Sequence, residues 1–397
     1  PVLMSFVRFS QRYKTYAAKP SVTSDKIWFA LSAFATRKYA GVILLVTAAL
    51  FVFGYMQSAQ LKIGDLHAGA PALHEDSRYN QDTFLITDRY AISVDYLNVM
   101  VETIPSACTE HSIMAKIDRF QWLMENVEGV QSTVSLASVS KSINAAFNEG
   151  NVKWRVLPRN TQSLVQASSR VETSTGLLNA DCSVMPVILF LQDHKAETME
   201  RVVAAAKQYG KEIGDEQTRF MLASGPAGVM AATNEAVSEA QQPMMWYVYG
   251  AVIVLCLLSF RSVRATVSVI VPLYVVSVLA TALMTALQIG LTVSTLPVIA
   301  LGVGIGVDYG IYILSNMTQM LRDGAPLREA YYEALKERGS AVLFTGITLA
   351  IGVSTWVFSA LKFQVDMGIL LTFMFIVNML GAIVVLPALA AFLWRKN

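Results

Sequence analysis

The chain has 397 residues, of which 54% are hydrophobic and only 15% charged, with a formal net charge of +2 and a mean hydropathy of +0.46. A soluble domain carries about 25% charged residues, so an ordinary soluble protein is excluded and a polytopic membrane protein with a substantial water-exposed part is expected. The near-neutral charge and the lack of a recognisable nucleic-acid motif give no reason to expect nucleic acid as a partner, and the three cysteines and four histidines show no metal-ligand spacing.

Residues 1–38 read as a cytoplasmic connector. Arg8, Arg12, Lys14, Lys19, Lys26, Arg37 and Lys38 stand against Asp25 alone. Ser24 or Asp25 can cap a helix whose stripe of Ile27, Trp28, Leu31 and Phe34 suits the membrane surface. Residues 39–57 form the first transmembrane helix, its boundary tyrosines Tyr39 and Tyr55 suiting an interfacial belt.

Residues 58–243 read as a water-exposed α+β domain. Strands are expected at Asp95–Ile104, Val130–Leu136, Val184–Leu191 and Arg219–Ala223, and helices at Glu110–Asn126, Ala137–Phe147, Thr161–Thr173 and Glu197–Ile213. This order fits a ferredoxin-like sandwich. In such a sheet the first and third strands are antiparallel neighbours. Cys108 follows the first and Cys182 precedes the third, so a Cys108–Cys182 disulfide is expected on an oxidising face, with two free buried thiols as the alternative. His67, His74, His111 and His194 are scattered over this domain and offer no metal site.

Residues 244–397 then supply five more spans, at about Met244–Phe260, Ala265–Leu287, Thr292–Met317, Ser340–Leu361 and Met367–Trp394. Between the Thr292–Met317 and Ser340–Leu361 spans lies a charged stretch in which residues 326–338 make an amphipathic helix. Its apolar side is Leu327, Ala330, Tyr331, Ala334 and Leu335, and it is expected to lie flat on the cytoplasmic membrane surface. Lys and Arg gather in the amino-terminal segment, the Arg261–Arg264 turn, Leu321–Arg338 and Arg395-Lys396, which puts both termini in the cytoplasm and the 58–243 domain outside.

The fourth span carries the most informative residues. Asp308 stands in the middle of an apolar run, where an ionised carboxylate costs at least about 2.5 kcal/mol on the insertion scale. Such a group defaults to function, because it can take up and release a proton; the alternative is a structural Asp bonded to a neighbouring helix. Tyr309 adjoins it, and Tyr312 follows one turn later on the same face. Gly302, Gly306 and Gly310 line one helix face and Gly304 another, a pattern that lets helices approach closely.

Gly304-xxx-Asp308-Tyr309, Glu337-Arg338-Gly339-Ser340-Ala341 before Thr345-Gly346-Ile347-Thr348-Leu349, and Gly225-Pro226-Ala227 before the second span resemble the resistance-nodulation-division (RND) superfamily, in its MMPL branch. The order of one span, an outer α+β domain and five spans is similar to one half-repeat of those proteins. The resemblance implies an α-helical membrane protein of six transmembrane helices with an extracytoplasmic ferredoxin-like porter domain, in a bacterial inner membrane. It implies proton-driven export of lipids or other hydrophobic or amphiphilic molecules rather than enzymatic catalysis, with protons as coupling ion and no cofactor.

In that branch an Asp-Tyr pair from each half forms the proton relay. This carries over to Asp308 and Tyr309, with the partner pair supplied by the amino-terminal half; a homo-oligomer is compatible, trimer and monomer both remaining open. The chain's opening, Pro1-Val2-Leu3-Met4-Ser5-Phe6-Val7-Arg8, is similar to its close from Leu386 to Arg395, which is expected if this chain is the second half of an internally duplicated protein; chance likeness over so short a stretch is the alternative. Two departures stand out. The Lys that the superfamily's multidrug pumps place in this span is absent from Thr292–Met317, and residues 58–243 leave little room for a channel-docking insertion. A lipid- or sterol-sensing receptor and a SecDF-like translocation accessory are the competing readings.

Overall fold

The computed structural model describes residues 22–394. The basic residues 8–21, the opening that resembles the close, and Arg395-Lys396 lie outside the described residues. The described part of the connector comprises α1 (Val22–Leu31) and a 3₁₀ turn (Ser32–Ala35). Its buried side differs from the expected stripe. Trp28, Ser32 and Ala35 are buried, whereas Ile27 and Phe29 are exposed. The Arg328 guanidinium lies 4.9 Å from the Phe29 ring and donates to Ser32 Oγ at 3.2 Å, which fastens the connector to the rest of the protein.

Among the described residues six helices are long and apolar enough to cross a membrane, at Arg37–Ser58, Pro226–Phe260, Val263–Ala286, Leu296–Arg322, Leu327–Phe358 and Lys362–Leu393. The first, α2 (Arg37–Ser58), presents Leu45, Phe53 and Met56 outward, as a lipid-facing helix does. After it, residues 62–66 run back along the protein as a strap, and α3 (Arg78–Arg89) follows. No apolar periodicity signals α3, because the residues it buries are Asn80 and Thr83 rather than an apolar stripe. Asn80 replaces apolar packing with hydrogen bonds, accepting from the Ala70 N–H at 2.7 Å and donating to the His74 carbonyl at 2.8 Å.

A four-stranded antiparallel sheet comes next, formed by β1 (Tyr96–Thr103), β2 (Val130–Ser135), β3 (Val184–Leu191) and β4 (Thr218–Ser224) in the order β2-β3-β1-β4. Central pairs such as Val99↔Val187 and Val101↔Phe220 set the register. Alternation along β1 buries Leu97, Val99 and Val101. Two helices complete the core, α4 (His111–Glu125) through Ile113, Ile117, Phe120 and Met124, and α7 (Ala196–Ile213) through Met199, Val202 and Ala206. Between them lie α5 (Leu136–Phe147), opened by a Ser135–Ser138 capping box, and α6 (Thr161–Ser168). A Cys108–Cys182 disulfide with Cα atoms 5.6 Å apart ties the end of β1 to the approach of β3, while Cys256 is free and buried.

From β4 the chain turns at Gly225, whose φ of +93° and approach to the Tyr96 carbonyl leave no room for a side chain. It then continues as the 35-residue α8 (Pro226–Phe260), through Pro243 and into the second candidate span without a loop. The bundle is completed by α9 (Val263–Ala286), α10 (Leu296–Arg322), α11 (Leu327–Ala334), α12 (Ser340–Ser354), α13 (Lys362–Leu380) and α14 (Leu386–Leu393).

The amphipathic stretch is not a separate surface helix. α11 runs into α12 through a π-turn at Leu335–Gly339, and Ala330, Tyr331, Ala334 and Leu335 are buried among the protein's own helices. The face expected to rest on lipid is therefore occupied. A second π-turn, Gly381–Val385, separates α13 from α14, and the Tyr331 hydroxyl donates to the Ile383 carbonyl inside it. A π-turn shifts the i→i−4 ladder, and a side-chain donor satisfies an acceptor displaced by that shift.

Candidate functional site

The site is built on α10. Its start is held by Thr292 and Thr295, whose hydroxyls meet each other's backbone N–H groups, with Pro297 in the first turn. The residues before it are locked to the strap. Ile63 pairs with Leu291 in a parallel bridge; Gly64 N–H donates to the Leu291 carbonyl at 2.8 Å, and Leu291 N–H to the Lys62 carbonyl at 2.9 Å. A Cβ on Gly290 would lie 1.9 Å from the Gly64 carbonyl oxygen, so two backbones touch where glycine alone fits. The strap is pinned in turn to the sheet domain, since Ala196 N–H donates to the Asp65 carbonyl and Lys62 pairs with Glu197.

Along α10 two faces diverge. Gly302, Gly306 and Gly310 are buried, and a Cβ on them would stand 2.3 Å from Met374 Cε, 2.5 Å from Asn378 Cγ and 3.0 Å from Val269 Cγ1 respectively. This glycine face receives α9 and α13. Asn378, 3% exposed, donates from Nδ2 to the Gly302 carbonyl at 3.0 Å, a polar brace across the tightest contact. Sequence reasoning passed over Asn378; its signal was being the lone Asn in the apolar run 367–394.

Among the described residues the opposite face is bare. Leu301 and Tyr312 are each 50% exposed, Asp308 and Ser315 are exposed, and Gly304 has nothing within 4 Å of where its Cβ would be. These residues form one stripe at helical spacing, with Asp308 half-way along the 27-residue helix. Asp308 and Tyr312 thus share a face. Tyr309 does not join them; it is 1% exposed, packed in the bundle core, and among the described residues its hydroxyl has no hydrogen-bond partner. Gly304 belongs to the Asp308 stripe and takes no part in packing among the described residues. Among the described residues, no group of three or more His, Cys, Asp or Glu is arranged to hold a metal ion.

A carboxylate exposed half-way along an apolar helix is costly to leave against lipid. The arrangement can exchange a proton and can receive a further helix at Gly304, and the packed glycine face behind it supplies rigid support.

Comparison with known proteins agrees with this architecture. The chain is 19% identical over 356 residues to a putative membrane protein, MJ1562, of Methanocaldococcus jannaschii, a match that covers 88% of this chain and 89% of that protein. It is 25% identical over 231 residues to the probable transport protein MmpL9 of Mycobacterium tuberculosis, covering 56% of this chain and 24% of that longer protein. A putative membrane protein of Streptomyces coelicolor, SCO6666, is 32% identical over 89 residues, 22% of this chain and 13% of the relative. The MMPL family model matches residues 99–397, and with six candidate spans the chain is a multi-pass membrane protein that belongs to the MMPL family.

Proposed function

We propose that this chain is the working half of a membrane transporter that uses the proton gradient to export lipids or other amphiphiles. The observation that carries the reading is the exposure of Asp308 on a stripe with Gly304 and Tyr312, half-way along a candidate span and backed by a closely packed glycine face. Asp308 holds the exchangeable proton, and Tyr312 accompanies it on the open face. Tyr309, one residue on and about 100° round the helix, reaches that face only when the helix rotates. The stripe receives the equivalent helix of an amino-terminal half carrying its own Asp-Tyr pair, or of a second copy of this chain. Protonation then shifts the balance between two packings of that contact.

The name of the mycobacterial relative supports transport. The sheet domain is read as a ferredoxin-like porter domain, on its β2-β3-β1-β4 order and its two covering helices. Its disulfide fits an oxidising outer compartment, and hence a bacterial inner membrane with this domain in the periplasm and both termini in the cytoplasm.

The test is transport by the full-length protein in proteoliposomes under an imposed pH gradient. Asp308→Asn retains shape and hydrogen-bonding capacity but removes the proton; it should insert and fold normally yet abolish gradient-driven transport. Undiminished transport by this variant would overturn the relay and favour a lipid-sensing role.

A further inference from the structure

The exposed stripe of α10 changes character at Asp308. Before it, Pro297, Leu301 and Gly304 carry neither a hydroxyl nor a titratable group; after it, Tyr312, Ser315 and Gln319 are all polar. All of them lie within about 40° of Asp308 round the helix, and all are exposed. A face made only to meet lipid would stay apolar on both sides of the carboxylate. The apolar half points toward the strap and the sheet domain, and the polar half toward Arg322 and α11, the side read as cytoplasmic.

A second carboxylate stands at the foot of the polar half. Glu337 lies in the π-turn Leu335–Gly339 and is exposed. Asn316 Nδ2 donates to its Oε2, which fixes this carboxylate against α10 next to Ser315. Glu337 enters no ion pair among the described residues, whereas Glu333, one turn earlier, lies 3.9 Å from Lys336. Ser315 Oγ donates to the Tyr312 carbonyl at 3.2 Å and keeps its lone pairs as acceptors. From Asp308 to Tyr312 and on to Ser315 the helix rises about 6 and then about 4.5 Å, each step the reach of two hydrogen bonds through one water.

We propose that Glu337 is the cytoplasmic terminus of the proton path, reached from Asp308 through Tyr312 and Ser315, and that this face of the chain builds that limb alone. The proposal rests on Asp308 being the proton carrier of the transport reading. The proton leaves the Asp308 carboxyl, which becomes a carboxylate. Each hydroxyl takes one proton on its oxygen and passes its own to the next water, so it ends unchanged. The Glu337 carboxylate receives the proton, becomes a carboxylic acid and releases it to water at the cytoplasmic surface. Asn316 does not titrate and is a positioning residue. The outer limb falls to the facing helix, since Pro297, Leu301 and Gly304 have no group that passes a proton.

The test follows protonation of Asp308 itself and needs no transported substrate. Full-length protein in proteoliposomes receives protons released from a photolabile cage on the cytoplasmic side, and the infrared band of the Asp308 carboxyl, assigned by its loss in Asp308→Asn, is timed. Glu337→Gln keeps an oxygen for Asn316 but cannot titrate, and should slow the band about a hundredfold, the lower end of what a positioned proton-transfer group contributes. Glu337→Asp keeps the titrating group and should stay near the parent rate. A purely structural Glu337 gives the reverse order, with Gln near the parent and the shorter Asp impaired, and that order would overturn the proposal. Tyr312→Phe with Ser315→Ala, both on the exposed face, should slow the band as Glu337→Gln does, whereas Glu333→Gln should leave it unchanged. Protons released on the outer side should reach Asp308 at the parent rate in every variant; slowing from both sides would overturn the one-sided limb. If Asp308→Asn removes no band, the carboxyl does not titrate and the transport reading falls; a band as fast in Glu337→Gln as in the parent sinks this inference alone.

Discussion

Asp308 and Tyr309 are adjacent in sequence, yet the carboxylate lies on the bare face of α10 while the phenol ring is enclosed on the packed one. One helical step of about 100° separates them, and the partner of Asp308 on its own face is Tyr312. Tyr312→Phe should therefore impair gradient-driven transport more than Tyr309→Phe. Tyr309→Phe removes a buried hydroxyl that has no partner among the described residues, so thermal stability in detergent should hold or rise slightly. Transport rates and melting temperatures of the two variants, measured side by side, check both halves of this prediction.

The glycines divide in the same way. Gly306→Leu forces a side chain into Asn378 and Leu273 and should destabilise the bundle by about 1–3 kcal/mol, the usual cost of overpacking. A Cβ at Gly304 meets nothing within 4 Å among the described residues, so Gly304→Leu should leave folding unchanged. If the proposed partner helix docks at this stripe, the same substitution should block transport by filling its place. A transport-competent Gly304→Leu would show that no helix approaches there.

Removing the disulfide should loosen the sheet domain and spare the bundle. The cysteines are 74 residues apart, and closing a loop of that size is worth about 4–5 kcal/mol in the chain-entropy account. Cys108→Ser with Cys182→Ser should expose the 96–224 region to protease at lower temperature, with the candidate spans protected as before. Equal sensitivity with and without the bridge would contradict this.

His194 gives the sheet domain a pH dependence. The ring is 2% exposed. Burial opposes its charging, but Nδ1 lies 3.0 Å from Asp95 Oδ2, and the charges of Asp95, Asp65 and Asp193 outweigh that penalty, so its pKa stands above the ordinary 6.5. A raised folded-state value means that the stabilisation is fully present below about pH 6.5 and is lost as pH rises through the folded-state pKa. The difference in melting temperature between the parent protein and His194→Gln should accordingly be largest in mild acid and shrink in alkali. A difference that grows with pH would refute the assignment.

Much of this was legible because the signals are local. The apolar spans announce themselves by length, and β3 by the run Val187-Ile188-Leu189-Phe190. What escaped depends on partners distant in sequence. The inner side of α3 is polar, so periodicity is silent where Asn80 substitutes hydrogen bonds for packing. Amphipathicity in α11 showed that one face is covered, but the cover is the bundle rather than lipid. Helical spacing grouped Asp308 with Tyr312, yet which side of α10 stays open depends on α9 and α13. That choice is made by Met374 and Asn378, far along the chain.

The unbroken α8 has a mechanical consequence. At 1.5 Å per residue its 35 residues make a rod of about 52 Å that leaves the sheet at Gly225 and ends beyond the apolar segment at Phe260. A loop at the boundary would absorb displacement; a continuous helix carries it from end to end. Its weak point is Pro243, which has no N–H for the Glu239 carbonyl and so leaves one rung of the ladder unmade. The rod is thus a shaft with a single compliant joint. Tilting of the sheet domain must either swing the lower segment sideways or be taken up as bending at that one residue.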